Sequence, residues 1–401
     1  MVFGRYDVAV FVTFIAYAAG SVVVPVALVL IARDLNFRLE SGGMAAGGAL
    51  HLGRTISMVV TMLLCGYLAG RWGKRRILGA AVVVMGMGMA FCAFSPVYGL
   101  LLLALAFAGL GEGVIEGLIT PFVQDLHRDE PGRYINFSHG FWCIGVVITV
   151  VVSGALLAHH VAWRLVIAVV AIISVIPAAL LLLPEDPARK YPEHPETIDR
   201  AKVTAHARQI VSTPRFWLYY AAMFVAGGGE FCLTFWTASY IQLNFSSTAW
   251  IGGLGTALFS AGMFAGRTWW GYALKQQHLK RLIVWSAVAG AGITLLLPGQ
   301  RHLAPFMAIL FVAGLAVAPY WPSVQSLSAD RLPHVDTTML FILLACAGVP
   351  GCGVATWLMG WIGNHNAGLN HAFYLVPGCF LLLAIIISAD RSNTALKRSF
   401  L

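Results

Sequence analysis

Charge is scarce in this chain. Lys, Arg, Asp and Glu make up 11% of its 401 residues, against roughly 25% in a soluble globular protein. With 59% hydrophobic residues and a mean hydropathy of +0.79, a soluble fold is excluded and a membrane protein is expected. Catalytic patterns are also absent: HExxH, GxSxG and the phosphate loop do not occur, so the chain is not read as an enzyme. The seven cysteines (65, 92, 143, 232, 346, 352 and 379) lie in apolar runs without CxxC or Cys/His ligand spacing, and the twelve histidines form no metal constellation. Small buried packing residues are expected at the cysteines, and no metal or cofactor.

What is present is a series of apolar stretches long enough to cross a ~30 Å hydrocarbon core. Twelve spans are expected, near 8–32, 43–69, 77–96, 98–124, 135–158, 163–183, 216–242, 248–273, 281–298, 303–328, 338–362 and 370–389. The first runs on without a small-residue cleavage site, so it reads as a span and not as a signal peptide.

The net charge of +9 raises nucleic acid as a partner, but the distribution of basic residues argues against it. With the N-terminus inside, the inner segments carry Arg5, the Arg71-Lys74-Arg75-Arg76 cluster, Arg128, Arg133, the set from Arg189 to Arg215, Lys275, Lys280, Arg281, Arg331, Arg391, Lys397 and Arg398. The outer loops carry only Arg33, Arg38, Arg164 and Arg301. This asymmetry is the positive-inside pattern; both termini are expected in the cytoplasm, with a bacterial inner membrane as the setting.

Residues 185–214 interrupt the apolar pattern and read as a charged cytoplasmic linker with room for a short amphipathic helix. It divides 1–184 from 215–401, six spans each. The halves echo one another at an offset of 205 residues: "AGL" at 108–110 recurs at 313–315, "GYLAGRWGKRRIL" from Gly66 answers "GYALKQQHLKRLI" from Gly271, and Asp125 falls on Asp330. An internal duplication of this kind builds two bundles facing each other across a midplane cavity. The fold class expected is therefore all-α, twelve transmembrane helices in two pseudo-symmetric six-helix bundles.

The loop from Gly66 resembles the major facilitator signature at Gly66, Arg71, Gly73, Lys74, Arg75 and Arg76, with Gly70 standing where that signature has an acid. As physics, the cluster anchors at the inner leaflet, and Arg71 or Arg75 could pair with Asp125 to latch the inner side. "GLGEGVIEGLITPFV", "GGGEFCLTFWTASYI", "FSAGMFAGRTWWGY" and "GLAVAPYWPSVQSLSADRLP" are similar to helices of the fucose-galactose-glucose proton symporter family. The resemblance rests on Glu116, Glu230, Arg267 and Pro322 and implies a cation-driven importer of a monosaccharide, with Glu116 bearing on substrate or proton. That family's first-helix acid has no counterpart in "FVTFIAYAAGSVVVPVALVL".

Physical reasoning reaches the same residues independently. Of seventeen Asp and Glu residues, only Glu112, Glu116 and Glu230 fall near the middle of a span, where a carboxylate costs about 2.5–3.5 kcal/mol and should face the bundle interior or a wet cavity. Glu112 and Glu116 are four apart, hence on one helix face. Two such charges cannot both ionise cheaply, and one is expected to carry a proton near neutral pH. Glu116 is favoured as the coupling or sugar-binding acid, Glu112 as its modulator. Arg54 and Arg267 also lie within spans and need partners; Arg54 could pair with Glu112.

In the second half Glu230 follows Gly227-Gly228-Gly229, a run that permits close packing or unwinding. Trp236 and Tyr240 further along offer aromatic faces for sugar CH groups, with an interface-belt role as the competing reading. Pro319 and Pro322 should break the tenth span, leaving Trp321 and Gln325 as ligands, with Trp321 at the duplicate position of Glu116. Asn136, His139 and Trp142 follow in the fifth span, the first two close enough to its end for capping to compete. Asp330 joins Arg71, Arg75 and Asp125 as a gate candidate. The expected function is import of a sugar-like solute with protons or sodium by a monomer in the lipid bilayer; a proton-antiport exporter of drugs or metabolites is the alternative.

Overall fold

The computed structural model describes residues 3–127, 129, 131–184, 191–192, 200–273, 276–365 and 368–390. All regular structure among them is helical, as lipid demands of backbone that cannot hydrogen-bond to water. In the first half α1 is Arg5–Asp34, α2 Met44–Trp72, α3 Lys74–Ala93, α4 Tyr98–Leu126, α5 Pro131–Ala158, α6 Trp163–Ile173 and α7 Val175–Leu182. Next comes α8, Arg200–Val211, inside the expected linker. The second half holds α9 Pro214–Asn244, α10 Ala249–Ala273, α11 Leu279–Leu295, α12 Leu303–Val317, α13 Tyr320–Arg331, α14 Thr337–His365, α15 Leu369–Ala372 and α16 Leu375–Ala389.

Eleven helical segments are long and apolar enough to cross a membrane, counting α6 with α7, α12 with α13 and α15 with α16 as single spans. The twelfth expected span is α11, 17 residues long and packed between α12 and α16. The protein is thus an all-α, multi-pass membrane protein of two pseudo-symmetric six-helix bundles. Of the residues in the expected inner basic set, Arg128, Arg189, Lys190, Lys275, Arg391, Lys397 and Arg398 lie outside the described residues.

The 205-residue offset reappears in the helix bounds. Met44 of α2 maps on Ala249 of α10, Lys74 of α3 on Leu279 of α11, and Tyr98–Leu126 on the composite span Leu303–Arg331. That composite span breaks at Ala318-Pro319, where the missing amide proton of proline interrupts the ladder. The triple glycine leaves α9 continuous. It serves close packing instead: a Cβ at Gly227 would stand 2.6 Å from the Gly348 carbonyl oxygen. Gly73 links α2 to α3 at φ +86° and ψ 140°, a conformation glycine alone adopts without strain.

The halves meet along two seams, α2 against α14 and α5 against α10, with α1 against α9 between them. At the end carrying the α1–α2 turn the approach is backbone to backbone. A Cβ at Gly48 would lie 2.6 Å from the Thr356 carbonyl oxygen, and one at Gly253 2.3 Å from that of Val150. Hydrogen bonds from the Met44 amide to Asn364 Oδ1 (2.9 Å) and from Gln242 Nε2 to the Val26 carbonyl (3.3 Å) join the halves at the same end.

Candidate functional site

Between the halves lies a cavity lined by polar, charged and aromatic side chains. Its walls come from α1, α2, α4 and α5 on one side and from α9, α10, α13 and α14 on the other. Glu116, Glu230, Arg54, Arg267 and Trp321 all line it, together with Trp142 and His139. The helix spacing explains the first-half face: His51, Arg54, Thr55 and Met58 on α2 recur at intervals of three and four.

The two intramembrane glutamates of α4 separate. Glu112 is fully buried and forms a two-pronged ion pair with Arg54 Nε and Nη2, as the sequence reading allowed. Arg54 also donates from Nη1 to the Gly20 carbonyl (2.9 Å) and from Nη2 to Ser21 Oγ (3.2 Å), so its charge is matched on α1 and α4. Glu116, one turn on, faces the cavity, which Tyr17 of α1 also lines. Among the described residues Glu116 has no ion-pair partner within 4.0 Å.

Across the cavity Arg267 Nη2 lies 3.2 Å from Glu230 Oε1. The same guanidinium donates to the Ala318 carbonyl at 3.4 Å, which the α12–α13 break leaves free, and approaches Cys143 Sγ at 3.6 Å. Arg267 therefore ties α10 to α9, to the α12–α13 break and to α5. Trp321 stands at the duplicate position of Glu116 and lines the same cavity.

Three expected ligands sit elsewhere. Trp236 is wholly enclosed, donates from Nε1 to the Thr356 carbonyl at 3.0 Å, and packs beside Gly47 and Gly360 at the seam. Tyr240 stacks on Phe306 at 4.9 Å and donates to Asn370 Oδ1. Gln325 accepts at its backbone carbonyl from Ser328 Oγ at 2.6 Å, and neither Tyr240 nor Gln325 belongs to the cavity wall. The rings of Trp236 and Tyr240 are taken up in contacts with other helices, which spacing along one helix cannot reveal.

The gate candidates also differ from expectation in their pairing. Lys74 Nζ, and not Arg71 or Arg75, reaches Asp125 Oδ2 at 2.7 Å, while Tyr191 donates to the same oxygen at 2.9 Å. Arg75 donates to the Leu181 carbonyl, and Arg71 is exposed with its guanidinium over Trp72. Asp330 accepts from Gln276 Nε2 at 2.8 Å. Asp390, which no sequence pattern singled out, gathers Arg215 (2.9 Å), Tyr219 (3.0 Å) and Arg331 (3.6 Å).

Sequence reasoning missed Tyr17, Ser21, His51 and Phe231 in the cavity wall. The spacing of His51 from Arg54 and Thr55, three and four residues, was the available signal.

Comparison with known proteins places this architecture. The family model of the Major Facilitator Superfamily matches residues 9–333, and the chain belongs to that superfamily: it is a membrane transporter and not an enzyme. A solved D-xylose-proton symporter superposes with a TM-score of 0.76 at 13% identity, covering 96% of this chain and 97% of that one. The fucose:proton symporter of E. coli gives 0.65 at 16% identity over 96% and 98%. At these identities the likeness shows the fold. A curated efflux transporter of Phaeosphaeria nodorum is 31% identical over 25% of this chain and 18% of its own length. The curated relatives that head the comparison are matched over only 18–37% of their length.

Proposed function

We infer that this major facilitator imports a small neutral polyhydroxylated solute, of monosaccharide size, together with a proton, and that Glu116 is the coupling acid. The observation carrying this reading is the charge balance of the cavity. Arg54 is matched by Glu112 and Arg267 by Glu230, so the proton on Glu116 decides whether the cavity is neutral or carries one net negative charge. A neutral cavity crosses the bilayer midplane at lower cost during rocking of the halves. The aromatic faces of Trp142, Trp321 and Phe231 suit sugar CH groups, while the carboxylates accept hydroxyls. The two proton-coupled sugar symporters that share the fold support the same direction.

In this reading the α1–α2 end faces outward, both termini are cytoplasmic, and the setting is a bacterial inner membrane, as the arginine and lysine distribution favours. The functional units are residues 1–184 and 215–401 joined by 185–214, acting as a monomer. Lys74 with Asp125, and Arg215 and Arg331 with Asp390, hold the inner ends of the two bundles in shape.

Uptake of radiolabelled monosaccharides into proteoliposomes under an imposed inward proton gradient, with a sodium gradient in parallel, tests it. Accumulation driven by the proton gradient and lost in Glu116→Gln supports the reading; no accumulation of any sugar sinks it. A proton-antiport exporter remains the second reading, favoured by the aromatic cavity wall and the efflux relative. Substrate-driven proton release from the vesicles would identify it.

A further inference from the structure

One polar side chain in the cavity has no use in the mechanism above. His51 on α2 is 6% exposed, lines the cavity, and its Nε2 is enclosed without a hydrogen-bond partner among the described residues. A buried imidazole nitrogen left unsatisfied is expensive, and such atoms are usually completed by a ligand or an ordered water. The ring cannot turn away to find a partner. It stacks flat on Phe231 of α9 at 4.2 Å and 4°, with Phe235 tilted against it at 5.6 Å.

Both guanidinium groups of the wall, and the side chains of His139 and Thr55, are already committed. Arg54 serves Glu112, Gly20 and Ser21; Arg267 serves Glu230 and Ala318. His139 Nε2 meets Thr120 Oγ1 at 3.1 Å, and the Thr55 hydroxyl donates to the Leu52 carbonyl at 2.9 Å. With both guanidinium charges matched, the wall makes no call for an anionic group. Beside the carboxylates of Glu116 and Glu230 it offers an imidazole between aromatic rings, able to accept from a hydroxyl or, in its other tautomer, to donate to one.

We propose that His51 is a substrate-binding residue that takes one hydroxyl of the solute, and that it sets specificity among neutral polyols by rejecting analogues that lack this hydroxyl. The proposal rests on the solute-import reading above. It adds a polar contact on α2 to the carboxylates of α4 and α9. Because the ring of His51 lies against Phe231, that contact is made at the meeting point of the two halves, and the bound hydroxyl is held by a side chain that both halves position.

The test is exchange of D-glucose, D-galactose, D-xylose and L-fucose in proteoliposomes, followed by the single-deoxy analogues of whichever sugar is carried best. His51→Phe keeps the ring stack and removes the nitrogen; His51→Gln keeps a polar group near it. The expected result is a KM for the parent sugar about tenfold higher in His51→Phe, the worth of one hydrogen bond, and close to wild type in His51→Gln. One deoxy analogue, penalised in the wild-type protein, should carry no further penalty in His51→Phe. That loss of discrimination is what a merely structural role would not produce. If His51→Phe fails to reach the membrane, His51→Leu is measured in its place. Wild-type exchange with every deoxy penalty intact in the variant overturns the His51 assignment alone. No exchange of any of the four sugars by the wild-type protein overturns the import reading, and the proposal with it.

Discussion

Arg54 and Glu112 are joined by two hydrogen bonds in the interior of the first bundle, with 3% and 0% of their side chains exposed. Their pairing separates two glutamates that sequence spacing had placed on one face. Glu112 becomes part of the packing between α2 and α4, while Glu116 is left to the cavity.

Breaking that pair should be costly. Glu112→Gln or Arg54→Met leaves one buried charge uncompensated, at about 3–5 kcal/mol. The double variant Arg54→Met/Glu112→Met should lose less than either single one. Thermal unfolding midpoints of the purified protein in detergent give the order; a double variant worse than both singles contradicts it.

Glu116→Gln should separate binding from coupling. Gln keeps the shape and hydrogen-bonding capacity of the side chain but cannot exchange a proton. Gradient-driven accumulation should disappear while sugar-for-sugar exchange continues, and the pH dependence of exchange should flatten. Accumulation at the wild-type level in this variant would mean that another group carries the proton.

Trp236→Phe distinguishes packing from sugar binding. The ring face survives, but the hydrogen bond from Nε1 to the Thr356 carbonyl is lost, leaving a buried acceptor short of its partner. Stability should fall by about 1–3 kcal/mol with the KM unchanged. A raised KM at unchanged stability would return Trp236 to the ligand set.

Gly48 and Gly253 control closure of the α1–α2 end. A leucine at either position meets backbone 2.6 Å or 2.3 Å from its Cβ, an overpacking worth about 1–3 kcal/mol. Exchange should fall by about tenfold or more, while solute still quenches the fluorescence of the cavity residues Trp142 and Trp321. Wild-type exchange in both variants would show that this end need not close so tightly.

Much of this was readable in the sequence because the membrane imposes simple rules. The spans, the break at Pro319 and the placing of Glu116, Glu230, Arg54 and Arg267 in the interior all follow from the cost of backbone and charge in lipid, and the repeat offset from matching stretches of sequence. What sequence could not supply was which neighbour each side chain meets. Trp236 and Tyr240 have the chemistry of ligands but bond to other helices, and Gln325 lies off the cavity wall. Lys74 takes the place expected of Arg71 or Arg75, because the turn at Gly73 aims it at Asp125. Nothing in the sequence marked the burial of His51 as exceptional.

The two seams are related by the internal duplication. Because α2 corresponds to α10 and α5 to α14, the α2–α14 and α5–α10 contacts are one contact made twice with the partners exchanged, as in an isologous dimer. The chain is in effect such a dimer made permanent by its linker. Once covalently joined, its two subunits no longer had to be identical. The pseudo-twofold axis therefore relates like scaffolds but unlike chemistry: it carries the acid Glu116 onto the indole of Trp321.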